Sequence, residues 1–292
     1  MSNNGFIWKS ITFALIIHGL LIRATSNSVS AQTIRYNGSI QYATGSYYFT
    51  ERTSSFYFNN GISISGNSSS ISLSIPFITQ NTPWLSNVGT GILPTGGPKN
   101  GMVGSNNSSG SKRRGNRKID LGMSDTLSYT EANFGDPSLS VSIEVLSTKD
   151  QRTTISASGG IKFPLANAQK GFGTGEWDWG GGLSWSQYIS SKIMLLTSGM
   201  FWKLGDMTDL DFNDIITYSA AIGKSFREGK WMGIISFSGI TQIIDNVDPP
   251  LSVGTGINLQ TSDKVSLNSN FTIGLTESAS DVSIGVGWNL KL

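Results

Sequence analysis

From Asp281 to Leu292 the chain alternates without a break. Val282, Ile284, Val286, Trp288, Leu290 and Leu292 take one side of the count, and Ser283, Gly285, Gly287, Asn289 and Lys291 the other. Successive strand side chains point to opposite faces, so this run reads as one strand with an apolar and a polar face. The pattern recurs upstream. Leu251, Val253, Ile257 and Leu259 alternate with Ser252, Gly254, Gly256 and Asn258. Val265, Leu267, Phe271 and Ile273 alternate with Ser266, Asn268, Asn270 and Thr272. Trp177, Trp179, Leu183 and Trp185 alternate with Asp178, Gly180, Gly182 and Ser184. A soluble β-sandwich also alternates, so period alone does not decide. Three features do. The runs are roughly twice the usual strand length of about 5–6 residues. Their polar face is Ser, Gly, Asn and Thr, where a solvated face would carry many charges. Trp and Tyr gather near the strand ends, as in aromatic girdles. Together these predict an all-β chain, an antiparallel transmembrane up-and-down β-barrel with its apolar face toward lipid.

The pattern predicts twelve strands, over 34–43, 55–66, 69–79, 138–148, 152–164, 175–189, 191–203, 214–226, 230–243, 250–260, 264–275 and 280–292. Short links alternate with long ones, which predicts both termini on the periplasmic side, with tight turns there and longer loops outside. Val286 and Leu267 are expected toward lipid, and Ser283 and Asn268 toward the lumen. Two strands alternate poorly, because Met194, Leu196 and Ile234 fall on the nominal lumen face. One link, 80–137, is too long for a simple connection. It reads as a functional or disordered external loop.

Composition narrows the class further. Charged residues are only 14%, the formal charge is +2, and there is no Cys. A nucleic-acid binder needs a basic excess, and a disulfide scaffold needs cysteines. No apolar run reaches the roughly 18 residues of a membrane helix. At the N-terminus, Lys9 precedes an apolar stretch from Ile11 to Ile22, and Val29-Ser30-Ala31 follows. This reads as a cleaved signal peptide over residues 1–31, ahead of a barrel domain over 32–292. As a helix the stretch would rise only about 18 Å, too short for a membrane anchor. Cleavage after Ala31 would also remove His18, the one His of the chain.

Ile161-Lys162-Phe163-Pro164, Gln169-Lys170-Gly171-Phe172-Gly173-Thr174-Gly175 and Trp177-Asp178 form a denser motif. It resembles that of the phenol-degradation meta-pathway outer-membrane proteins, a family of transporter-like barrels. There a strand ends Lys-aliphatic-Pro-Thr-Gly, and a Lys-Gly-Leu-Gly-Thr-Gly loop follows. Leu165-Ala166 stands here in place of Thr-Gly. The resemblance is densest over 161–185 and implies a Gram-negative outer-membrane barrel. The C-terminal Ser283-x-Gly285-x-x-Trp288-x-Leu290 looks like a barrel-insertion signal, which implies the barrel-assembly machinery as a partner.

Without His or Cys, a mature chain has no Ser-His or Cys-His nucleophile and no His-ligated zinc. The expectation is therefore no enzyme, no cofactor and no metal, with a carboxylate-dependent enzyme as the weakest alternative. Asp206, Asp209, Asp211 and Asp214 cluster in one external link. Asp209-Leu210-Asp211-Phe212-Asn213 imitates the start of a Ca²⁺ loop, but Asp214 takes the required Gly position and Ala220 the required Glu. A solvated loop is the favoured reading. Gly171-Phe172-Gly173-Thr174-Gly175 lacks the Lys-Ser/Thr of a phosphate cradle and is read as backbone freedom.

Sparse charges on the nominal lumen face are Arg35, Glu144, Lys162, Asp178, Lys224 and Lys291. Opposite charges on such a wall either pair or set a selectivity field, and pairing is favoured. Lys112, Arg113, Arg114, Arg117 and Lys118 in the long loop are candidates for a constriction or an anion contact. The leading functional expectation is a passive channel for small, hydrophobic or aromatic solutes. The competing one is a structural or adhesive surface barrel whose loops bind partners. The expected surroundings are outer-membrane lipid and lipopolysaccharide, with no nucleic acid.

Overall fold

The computed structural model describes residues 32–47, 52–82, 85–88, 91–94, 130–207 and 211–292. In chain order the strands are β1 (Thr33–Gly45), β2 (Thr53–Ser65), β3 (Ser69–Gln80), β4 (Leu85–Val88), β5 (Gly91–Pro94), β6 (Glu131–Phe134), β7 (Ser138–Ser147) and β8 (Thr153–Lys162). After a single 3-10 turn at Ala168–Lys170 come β9 (Asp178–Tyr188), β10 (Ile193–Lys203), β11 (Ile215–Phe226), β12 (Trp231–Ile240), β13 (Leu251–Ser262), β14 (Val265–Gly274) and β15 (Val282–Lys291). β1 pairs with β15 on one side and β2 on the other, and β2 pairs on to β3, so the sheet closes on itself. The result is an antiparallel barrel of twelve strands, with β6 as one extra strand against the end of β3. Closure leaves the ring of twelve strands without a free edge, which is the condition for crossing hydrocarbon with strands.

Register sets the two faces. Ile40 lies opposite Phe58 and Val286, and Val253 opposite Phe237 and Ile273. This set forms the outer face and includes Phe56, Leu183, Ile235 and Ile284, all more than half exposed. In water such a band would drive aggregation, whereas in a bilayer it is the stable face. Ser283, Asn268, Asn270 and Gly285 stand on the inner face, with Ser283 opposite Thr272, Asn268 opposite Gly287 and Asn270 opposite Gly285. Val286 and Leu267 face outward, so these faces agree with the alternation in the sequence. The start of β1 and the end of β15 lie with the tight turns, and the longer links gather at the other end, called the external end below.

The stretch 80–137 is not one structureless loop. β4 and β5 form a small hairpin, and β6 pairs with Phe77–Gln80 of β3. β7 therefore pairs with β3 only over Ser69–Ser74, and β6 takes over beyond Pro76. Proline has no N–H to give to a ladder, which suits the changeover point. The predicted signal peptide lies outside the described residues.

Candidate functional site

The inner wall has two characters. β13, β14, β15 and β1 present amides, hydroxyls and glycines. A cavity of about 370 Å³ lies against this wall, lined by Ser39, Gln41, Asn258, Asn268, Asn270 and, at its border, Ile234. β10 and β12 present apolar side chains on the same inner face. Met194, Leu196, Met200 and Trp202 come from β10, and Met232, Ile234 and Ile240 from β12. β11 runs between them and contributes Ala221 opposite Leu196 and Ser236. The residues that spoil the alternation of 191–203 and 230–243 are thus an apolar strip along the lumen.

At the external end the strip widens into a packed cluster. Trp202, Leu204, Phe212, Ile215, Ile243, Ile244 and Val247 come from the β10–β12 side, and Tyr47 and Leu85 from the links after β1 and β3. These links belong to distant sectors of the barrel, so the cluster bridges the mouth. The Trp202 indole lies against the inner-face positions Gly160 and Gly180, where a Cβ would come within 2.9 Å and 2.7 Å of it. Burial holds the Tyr47 phenol up at about 12, against a hydrogen bond with Ser280 that lowers it.

The β8–β9 link packs at the β2–β3 side of the mouth. Phe172, with no exposed surface, packs against Tyr57 of β2 and Ile78 of β3. Gln80 donates to the Lys170 carbonyl at 3.2 Å and so ties this link to β3. Gly171 and Gly175 both hold φ of +79°, and a Cβ on Gly173 would strike the Asp136 carboxylate. Two turns that need positive φ and one close approach account for the spacing Gly171-x-Gly173-x-Gly175.

Beneath that link sits a buried ionic cluster. The Lys162 ammonium lies 2.8 Å from Asp136 Oδ2 and 3.2 Å from Asp178 Oδ2, and donates to Thr174 Oγ1 at 2.8 Å. All three charged side chains are at most 2% exposed. The second oxygen of each carboxylate is satisfied by a backbone N–H, from Ala166 to Asp136 at 2.8 Å and from Gly205 to Asp178 at 3.1 Å. A charge is tolerable at this depth only when paired and hydrogen-bonded, and each of these is. Lys162 and Asp178 are lumen-face candidates from the alternation. Asp136 was missed, because it precedes β7 in a stretch with no strand period to reveal it.

The other candidates separate. Arg35 and Lys291 stand opposite each other on the inner face at the short-turn end, and Glu144 shares that face with Ser156 of β8. Lys224 does not join them. It lies opposite Ile193 and Gly233, on the outer face with Ile222 and Phe226, which corrects its placement in the lumen. Its position near the end of β11 lets the ammonium reach the interface, 5.4 Å over the Phe226 ring. Lys112, Arg113, Arg114, Arg117 and Lys118 lie outside the described residues, as does Asp209. Asp206 accepts from the Phe212 N–H at 2.9 Å and Asp214 faces Lys203 at 3.3 Å, so both brace their own link.

A closed barrel with an apolar outer belt and a two-sided lumen defines a transmembrane β-barrel protein. The chain belongs to the family described as "Putative MetA-pathway of phenol degradation", whose model matches residues 53–292. The fold is similar to that of an outer membrane channel from Pseudomonas putida F1, at TM-score 0.63 and 9% identity, over 91% of this chain and 97% of that one. It is less similar to the NanC porin, at TM-score 0.49 and 8% identity, over 89% of this chain and 100% of that one. The KdgM porin gives TM-score 0.49 and 7% identity, over 89% and 99% of the two chains. No curated protein sequence matches the chain.

Proposed function

We propose that this protein is exported, loses residues 1–31, and works in the outer membrane as a passive channel for small molecules with a hydrophobic or aromatic body. The observation that carries the reading is the apolar strip of Met194, Leu196, Met232 and Ile234 on the inner face, with Ile234 bordering the amide-lined cavity. A purely aqueous pore gains nothing from apolar side chains on its wall. A solute with an apolar body and a polar edge is matched on both sides, and its apolar area gains about 25 cal/mol per Å² removed from water. Passage requires the packed links at the external mouth to part. No catalytic role is assigned to any residue.

The test is solute uptake into liposomes carrying the mature barrel, compared for an aromatic alcohol and a sugar of similar size. Replacing Leu196 and Ile234 together by Asn is expected to slow aromatic uptake about tenfold, equivalent to about 1.4 kcal/mol, and to leave sugar passage unchanged. Equal effects on both solutes would remove the strip from the mechanism. The packed mouth favours a second reading, a closed barrel whose loops bind partners. Absence of both uptake and bilayer conductance would select it.

Lys112, Arg113, Arg114, Arg117 and Lys118 are proposed to bring positive charge to the external mouth. Their joint neutralisation to Gln is expected to lower anion preference in planar bilayers, most clearly at low salt where screening is weak. The corresponding deletion should span 95–129 only. Removing all of 80–137 would also take β6 and Asp136 and unmake the buried ionic cluster.

A further inference from the structure

Most of the described cations that meet a carboxylate lie at the external end of the barrel; at the short-turn end Arg152 alone does so, 3.9 Å from Asp150. At the external end Arg52, Lys162, Lys170 and Lys203 each have a carboxylate within 4.0 Å. At the short-turn end Lys224, Arg227 and Lys230 cluster around the β11–β12 turn, and none has a carboxylate that close among the described residues. Glu228 shares the turn and leaves an excess of positive charge.

Arg227 lines a groove of about 440 Å³ together with Phe226, Trp231, Met232, Gly233 and Ile257, the Lys224 ammonium lies 5.4 Å over the Phe226 ring, and Lys230 adjoins Trp231 in the turn. The groove lies on the outer face, since Phe226 pairs with Trp231 and Gly233 with Ile257 on the side that bears Lys224. Gly233 forms a floor without a side chain between the Phe226, Trp231 and Ile257 walls. Arg227 and Glu228 both hold positive φ, 48° and 57°, where Asn-Gly would sit without strain. Non-glycine residues in this conformation carry a local energetic cost, and here it places a guanidinium at the groove mouth.

We propose that this groove binds an anionic phospholipid of the leaflet that meets the tight turns. The apolar walls take the glycerol and upper acyl region, and Lys224, Arg227 and Lys230 hold the phosphate. Outward cations near the water interface reach headgroups without leaving the hydrocarbon boundary. An arginine can meet two phosphate oxygens at once. The occupant is identified by both halves of the site. A free phosphate would leave the apolar walls unused, and a neutral lipid would leave the three cations unanswered. The inference rests on the barrel lying in a bilayer and not on its transporting anything.

The test is native mass spectrometry of the purified mature barrel released from detergent doped equally with phosphatidylglycerol and phosphatidylcholine. Wild type is expected to keep at least fivefold more phosphatidylglycerol. The variant K224Q/R227Q/K230Q is expected to fall to the phosphatidylcholine level. Gly233→Leu, which fills the groove without changing charge, is expected to lose phosphatidylglycerol as well. The control K149Q/K264Q, at two other tight turns, is expected to stay within twofold of wild type. Heat-modifiable gel mobility checks that each variant is folded. Equal retention of the two lipids by wild type overturns the proposal with no variant needed, and so does a control that loses as much as the groove variant. Neither result bears on conductance, so failure here is separable from failure of the channel reading.

Discussion

Lys162→Met should loosen the external end of the barrel by about 3–5 kcal/mol, the usual cost of removing one partner from a buried ion pair. The change strands the Asp136 and Asp178 carboxylates, which are at most 1% exposed, and leaves Thr174 without its ammonium partner. The β8–β9 link should open first, since Phe172 is held only where that link is held. Protease sensitivity at 163–177 and the urea midpoint of the whole barrel together measure the effect. Asp136→Asn with Asp178→Asn in the Met background should recover part of the loss, because no unpaired charge then remains buried. If Lys162→Met alone leaves both readouts unchanged, the ionic cluster does not hold the mouth.

Val286→Arg should cost about 2–4 kcal/mol of barrel stability, the range for a lipid-facing arginine at the bilayer midplane. Val286 lies midway along β15, is 53% exposed, and faces outward between Ile40 and Ser269. Asn270→Arg is the matched control. It starts from the inner face, opposite Gly285 and beside the cavity, where the guanidinium keeps its water. Leu267→Arg should cost only about 0–1 kcal/mol, because Leu267 is near the short-turn end of β14 and its arginine can reach the interface. Reversible unfolding in lipid vesicles compares the three. Equal costs for Val286 and Asn270 would show that the faces are exchanged.

The strands were largely legible in the sequence because a half-lipid, half-polar wall leaves a period of two that nothing else in the chain imitates. Each strand of the barrel is within about three residues of its expected bounds. Met194, Leu196 and Ile234 were visible only as breaks in that period. Their meaning needed β11 between β10 and β12, which makes three scattered exceptions one apolar strip. Lys224 was misplaced for a related reason. A charge on a lipid-facing register looks like an error until its depth is known, and strand position supplies that depth.

Alternation in this chain by itself determined the barrel, the direction of its two faces and which links are short, because these follow from side-chain period and hydrogen-bond closure. Tertiary structure alone decided how the lumen is used. Asp136 reaches Lys162 from 26 residues away, Gln80 reaches Lys170 across 90, and Tyr47 joins Val247 in one buried cluster at the mouth. Such contacts join links that carry no repeating pattern of their own. They form only once the closed wall has brought those links together, where burial makes each polar group need its partner.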